Sequence, residues 1–176
     1  MNPKFKFALR EDLKDNKEFL PTRGEPKATG WDVRSADNLV LQPFEHAKIK
    51  LGFRAMCPEG WWFELKPRSS SFGKKNLHAL YGTIDETYEG ELIFACQYIP
   101  HMQYYVGPIF DSLVTKMMNT YLSHKLNIKC GDAIGQIIPV KRQEMEVIEA
   151  TNAEIEEEYK NRAAIRGAGG FGSTGK

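Results

Sequence analysis

Short apolar stretches that alternate with polar residues, cut at close intervals by proline and glycine, constrain this chain more than any other feature. Phe5-Lys-Phe-Ala-Leu9 alternates as a half-buried strand does. The same reasoning predicts strands over Trp31–Ser35, Asn38–Leu41, Ala47–Ala55, Trp61–Lys66, Thr83–Ile84, Leu92–Tyr98, Asn127–Ile128 and Ile134–Pro139. Pro43, Pro58-Glu-Gly60 and Pro67 mark corners between them. A charged loop punctuated by proline and glycine fills the stretch from Arg10 to about Thr29. Many short strands with turn signals make an all-β fold, a barrel or jelly-roll-like sandwich.

Two segments depart from that pattern. Ile109–Lys125 has apolar residues near helical spacing behind Pro108, which fits a short amphipathic helix or a long hairpin excursion. Ala150–Ile165 is rich in Glu and Ala. Thr151 or Asn152 is placed to cap it, with Glu154 in the first turn and Lys160 and Arg162 near the end. It reads as a surface helix or a solvated arm. There is no internal repeat and no second globular domain, so residues 1–149 form the barrel and 150–176 a C-terminal arm.

Composition narrows the function. The net charge of +1 over 176 residues supplies no global field for a polymeric nucleic acid. Cys57, Cys96 and Cys130 are odd in number and far apart, matching neither a disulfide framework nor a zinc pattern. They read as small hydrophobes in a reducing compartment. No segment approaches a membrane span or the apolar core of a signal peptide, and the expectation is a cytoplasmic protein without membrane partners.

Three internal motifs and the tail carry chemistry. Pro67-Arg-Ser-Ser-Ser-Phe-Gly-Lys74 follows a strand and opens a turn or helix, so an arginine and hydroxyls gather into an anion site or, more plainly, a serine-rich cap. In Gly82-Thr-Ile-Asp85-Glu-Thr-Tyr88-Glu-Gly90-Glu-Leu92, glycines bracket a hairpin holding one acid and one aromatic. Asp85 is suited to activate a water, and equally to hold its own turn. Tyr88 offers a flat face to a sugar. Gly131-Asp-Ala-Ile-Gly-Gln136 leads into an apolar strand with Gln136 its one amide. Arg166-Gly-Ala-Gly-Gly-Phe-Gly-Ser-Thr-Gly-Lys176 cannot hold a helix or strand, because glycine loses too much backbone entropy. Its exposed N–H groups, hydroxyls, arginine and single Phe171 suit a lid over a nucleotide triphosphate.

Taken in order with Ala28-Thr-Gly-Trp-Asp32-Val-Arg-Ser-Ala36, these pieces resemble the five motifs of the trimeric deoxyuridine triphosphatase (dUTPase) family. The resemblance implies a distorted jelly-roll subunit in a homotrimer whose three active sites are each shared by three chains. It implies hydrolysis of dUTP to dUMP and pyrophosphate by water attack on the α-phosphorus, which keeps uracil out of DNA and supplies dUMP for thymidylate synthesis. Asp85 would hold and deprotonate the water. Backbone around Ala79, Gly82, Thr83 and Ile84, reaching Ile93, would read uracil, and Tyr88 would exclude a ribose 2′-hydroxyl. Arg68, Ser69, Ser70 and Gln136 would grip phosphates, while Phe171 covers the base and Arg166, Gly172, Ser173 and Thr174 close over the terminal phosphate. Mg²⁺ is implied, held by the triphosphate and waters and by no direct protein ligand, with Asp32 acting one layer back.

The chain also departs from the family. Trp31 stands where tyrosine is usual, and Ala133 and Gly135 replace arginine and alanine. The gap from Tyr88 to Gly131 is about twenty residues longer than usual, beyond ordinary hairpin loops. The excess, roughly residues 98–126, reads as an insertion like those of phage-type members, with Tyr98, Tyr104, Tyr105, Phe110 and Tyr121 as a small satellite core or a patch for a protein partner. Two alternatives follow: a nucleotide-gated regulatory protein acting through that insertion, and a dCTP deaminase relative. The deaminase would need its own acidic residue after the hairpin, and Gly90-Glu-Leu-Ile-Phe-Ala does not supply that pattern.

Overall fold

The computed structural model describes residues 3–100 and 124–162. The helix or hairpin expected at 109–125, nearly all of the 98–126 insertion, and the tail residues Arg166, Phe171, Gly172, Ser173 and Thr174 lie outside them. The described residues are mostly strand: β1 (Lys6–Leu9), β2 (Trp31–Arg34), β3 (Leu39–Leu41), β4 (His46–Met56), β5 (Trp61–Pro67), β6 (Leu77–Ala79), β7 (Gly82–Ile84), β8 (Glu91–Tyr98), β9 (Leu126–Ile128) and β10 (Ala133–Lys141). The helices are α1 (Ser69–Gly73) and α2 (Asn152–Lys160). The loop after β1 contains two single 3₁₀ turns, Glu11–Leu13 and Lys17–Phe19, and Phe19 is buried.

All pairing is antiparallel. One sheet runs β1-β4-β8-β6, a second β2-β10-β5-β7, and β3 pairs β9. Strand β8 shows the period most cleanly: Leu92, Phe94, Cys96 and Tyr98 are buried and the intervening residues less so. Phe53 and Ile49 of β4, Phe63 and Leu65 of β5, Val33 of β2 and Ile134 and Ile137 of β10 join them in one core. The two inner faces thus bury each other, as a sandwich must. Burial pushes the Cys96 thiol up to about 11. All three cysteines are free; Cys96 is buried and Cys57 half-buried, as small hydrophobes would be, whereas Cys130 is exposed.

Every expected strand is present, with ends within about two residues. Strand β6 was not expected. Its three residues follow Asn76, which has φ 52, and it exists because Leu77, His78 and Ala79 pair Tyr98, Gln97 and Cys96. That is a tertiary cause, invisible to local pattern.

The chain divides into two compact units, Met1–Arg142 and Gln143–Lys176. In the second, Thr151 and Glu154 form a reciprocal capping box, with Glu154 Oε2 accepting from Thr151 N at 2.7 Å. Those bonds hold the Glu154 carboxyl below its usual range.

Candidate active site

The middle row of the second sheet carries the polar groups expected to meet phosphate. Gln136 of β10 is in register with Asp32 of β2 on one side and Lys66 of β5 on the other. Residues in one row share a face, and their neighbours Val33, Ile137 and Leu65 point into the core. Arg68 follows directly on β5, and its Nη1 lies 3.4 Å from Asp32 Oδ2. Asp32 therefore faces Arg68.

Several devices fix this cluster to the core. A Cβ on Gly30 would overlap the Gln136 side-chain amide, so the glycine makes room for it. Ser71 is buried and donates to Ile134 O at 2.5 Å, which ties α1 to β10. Lys75 Nζ lies 2.7 Å from Asp132 Oδ2. Ser71, not Ser69 or Ser70, does the structural work, and no side chain caps α1. That argues against a plain serine-rich cap.

Asp85, Tyr88 and the residues between them form a β-turn at the other end of the same sheet. Tyr88 N donates to Asp85 O at 3.1 Å, so Asp85 and Tyr88 are the first and fourth residues of one turn. This geometry explains their spacing. The Tyr88 ring lies over Gly90, where a Cβ would overlap it, and its hydroxyl donates to Glu91 O at 3.0 Å. Asp85 is exposed, and among the described residues nothing binds its carboxylate. The turn is held by Glu86 instead, whose Oε2 accepts from Gly60 N at 3.0 Å and from Arg142 Nη1 at 2.8 Å. The bland role considered for Asp85 thus belongs to its neighbour.

Between β7 and β8 the hairpin is splayed. Strand β7 pairs only β5 (Gly82 with Leu65, Thr83 with Glu64, Ile84 with Phe63). On the side away from β4, β8 pairs β6 only at Cys96–Tyr98, with Leu80 N also reaching Ala95 O at 2.9 Å. The edge from Glu91 through Ile93 to Phe94 has no ladder partner among the described residues. Among the described residues, β7 and the Glu91–Phe94 stretch of β8 therefore each leave one backbone edge unpaired.

The phosphate-side cluster and Asp85 do not meet within one chain. Gln136 aligns with Lys66, whereas Ile84, just before Asp85, aligns with Phe63. Three residues along the strand is about 10 Å, and two strand spacings add about 10 Å across the sheet.

A dUTPase family model matches residues 16–97. The deoxyuridine 5′-triphosphate nucleotidohydrolase of Hydrogenobaculum sp. (strain Y04AAS1) is 32% identical over 171 residues, covering 95% of this chain and 94% of that protein. The chain belongs to the dUTPase family. The human mitochondrial enzyme is 31% identical over 156 residues, which is 89% of this chain but 50% of that longer protein. A mutant dUTPase of phage 80alpha, studied for the link between its enzymatic activity and its SaPI inducing capacity, superposes with a TM-score of 0.70 at 23% identity. It covers 99% of this chain and 100% of that one.

Two departures from the dUTPase motifs now have causes. Trp31 is stacked under Arg23, whose guanidinium lies 4.6 Å from the ring centre, while Thr22 and Asp32 exchange backbone hydrogen bonds at 3.1 and 2.6 Å. The larger indole holds the preceding loop against β2. At Gly135 a Cβ would fall 2.9 Å from the Phe94 ring and 3.1 Å from Lys66 O, so this core has filled with phenylalanine the space that an alanine would need. The residues sequence reasoning missed are Gly30, Glu86 and Glu91. All three lie in motifs already singled out, but only Gly30 carries a mark of its own, as a glycine directly before the bulky Trp31.

Proposed function

We propose that this chain hydrolyses dUTP to dUMP and pyrophosphate, with Asp85 deprotonating the attacking water. The observation that carries this is a carboxylate free of structural duty, set with Tyr88 on the turn between two unpaired backbone edges. Fixed N–H and C=O groups along those edges would match uracil and mispair with cytosine, since an unmet buried donor or acceptor is costly. The extra methyl of thymine would be excluded by crowding. Tyr88 against the sugar would leave no room for a 2′-hydroxyl.

The distance between Asp85 and the Arg68–Gln136 cluster supports an active site completed between copies of the chain, as in the trimers of this family. One copy would supply Asp85, Tyr88 and those edges. A second would supply Arg68, Ser69, Ser70 and Gln136 for the phosphates. The tail of a third would bring Arg166, Phe171, Gly172, Ser173 and Thr174. Among the described residues no three His, Cys, Asp or Glu side chains cluster as a metal site. Mg²⁺ would be held by triphosphate oxygens and waters, as this hard cation prefers. Bound so, the metal offsets phosphate charge. Asp32 would keep Arg68 aimed at the phosphates, and Arg68 and Arg166 would offset the charge that develops during attack.

Pyrophosphate release is the test, measured with Mg²⁺ across dUTP, dCTP, dTTP and UTP. Turnover confined to dUTP is expected. Ammonia released from dCTP would place the chain with the deaminases instead. The phage 80alpha likeness and the long stretch between Tyr88 and Gly131 support a second role for residues 98–126, binding a protein partner. Pull-downs with and without that segment would decide it. No helix among the described residues is long and apolar enough to cross a membrane.

A further inference from the structure

The turn from Asp85 to Gly90 protrudes from the core, yet each end is gripped in the same way. At the tip, Glu86 Oε2 accepts from the backbone N–H of Gly60 at 3.0 Å and from Arg142 Nη1 at 2.8 Å. At the base, Glu91 Oε1 accepts from the N–H of Gly52 at 2.9 Å and lies 3.5 Å from Arg10 Nη1. Both glycines have positive φ, 75° at Gly60 and 77° at Gly52, a conformation that other residues adopt only with strain. Each N–H is thus presented by a backbone conformation that a residue with a side chain would hold only with strain. Gly60 also takes Arg142 N on its carbonyl at 2.8 Å, so the β4–β5 turn, the last residue of the barrel unit and the hairpin tip converge on one residue. Arg10 is itself braced by Asp12 at 2.7 Å and Asp37 at 3.0 Å.

We propose that Glu86, with Arg142, is a positioning residue for Asp85, and that Glu91, with Arg10, is the positioning residue for Tyr88. This rests on the reading of Asp85 and Tyr88 given above. Glu86 follows Asp85 directly and is the second residue of its turn, so the clamp sets where the Asp85 carboxylate stands. Glu91 carries the carbonyl that receives the Tyr88 hydroxyl, so its clamp sets how closely the ring approaches a sugar. Both carboxylates are about a quarter exposed, and Arg142 is 53% exposed, so the ion pairs themselves add little to stability. Glu91 differs from Glu86 in that it also satisfies the N–H of a buried glycine, Gly52. A reacting group displaced by about 1 Å, in contrast, loses about a hundredfold in rate.

The test is steady-state pyrophosphate release from dUTP and UTP by the full chain and its variants, with thermal midpoints measured alongside. Glu86→Ala lowers kcat for dUTP at least about tenfold, with KM within about threefold and a thermal midpoint near that of the parent. Glu86→Gln, which still accepts from Gly60 N–H, recovers part of the loss. Arg142→Ala acts in the same direction, and the double variant is no worse than Glu86→Ala alone, because both act through one carboxylate. Glu91→Ala instead raises KM and narrows the preference for dUTP over UTP, with the smaller effect on kcat. The proposal is overturned if Glu86→Ala keeps kcat within about twofold, if the double variant is additive, or if both clamps change the same kinetic constant. A parent protein that releases no pyrophosphate from dUTP would overturn the functional reading itself, which the ratios between variants do not touch.

Discussion

The phosphate-side cluster and the hairpin tip sit on one sheet but are built on opposite principles. Asp32 and Gln136 stand on strands whose other face is the core, with Arg68 directly after β5, and the backbone beneath them is wedged against Phe94 at Gly135 and bonded to buried Ser71. Their positions are set by packing, which is dense and resists displacement. Asp85 and Tyr88 stand on a turn with no core beneath it, placed by two carboxylates reaching to glycine N–H groups. One half of the site is fixed because the fold is fixed. The other is fixed by a few directed hydrogen bonds, and so can be loosened without unfolding anything.

Substitutions on the two sides should therefore fail differently. The largest effect is expected at the tip. Asp85→Asn keeps the shape of the side chain but cannot accept a proton, so kcat should fall by about a thousandfold, within the range for loss of a general base. Binding of a non-hydrolysable dUTP analogue should be retained, and isothermal titration would measure it. A variant that lost binding as well would mean that Asp85 shapes the binding site and does no chemistry.

On the core-backed side the cost should appear as stability. Gly135→Ala restores the residue familiar in the family but presses a methyl group onto Phe94 and Lys66 O. About 1–2 kcal/mol should be lost, read from the midpoint of denaturant unfolding. Adding Phe94→Leu should return part of it, since contacting residues are not additive. If Gly135→Ala is neutral, the fixed-backbone account of this side is wrong.

Gly30→Ala lies between these. The methyl would displace the Gln136 amide without entering the core, so KM for dUTP should rise about tenfold while the thermal midpoint holds. A fall in kcat alone would instead assign Gln136 to the chemical step.

The same contrast explains what could be read from the sequence. Strands β4, β5, β8 and β10 were legible because a face buried against a core leaves a period of two in the residues themselves. Asp85, Tyr88, Gln136 and Arg68 were legible as members of motifs. Glu86 and Glu91 were not: their role depends on Gly60, Arg142, Gly52 and Arg10, all distant in sequence, and a glutamate in a polar turn carries no local mark. Strand β6 escaped for the same reason, being defined by its partner β8. The Gly135–Phe94 wedge shows in the sequence only as a departure from the family's motif, because the ring it meets lies on another strand.

The smallest expected effect concerns a charge that braces the packed side. Lys75 and the Lys129 N–H hold the Asp132 carboxyl below its ordinary value, the Lys75 contact being the larger cause. The folded protein therefore binds that proton less readily than the unfolded chain does. Its stabilising contribution is present above the unfolded value near pH 4 and is lost as pH falls through the lower folded value. A partly exposed pair of this kind is worth at most about 1 kcal/mol. Asp132→Asn should accordingly show a small stability deficit at pH 7 that closes as unfolding is measured at progressively lower pH. Hydrolysis of dUTP at pH 7 should be unchanged, because the turn it braces is already held by Ser35 N donating to Asp132 O at 2.9 Å. A deficit that persisted unchanged to low pH would show that shape, and not charge, is what Asp132 contributes, and the packed side would then owe nothing to its ion pair.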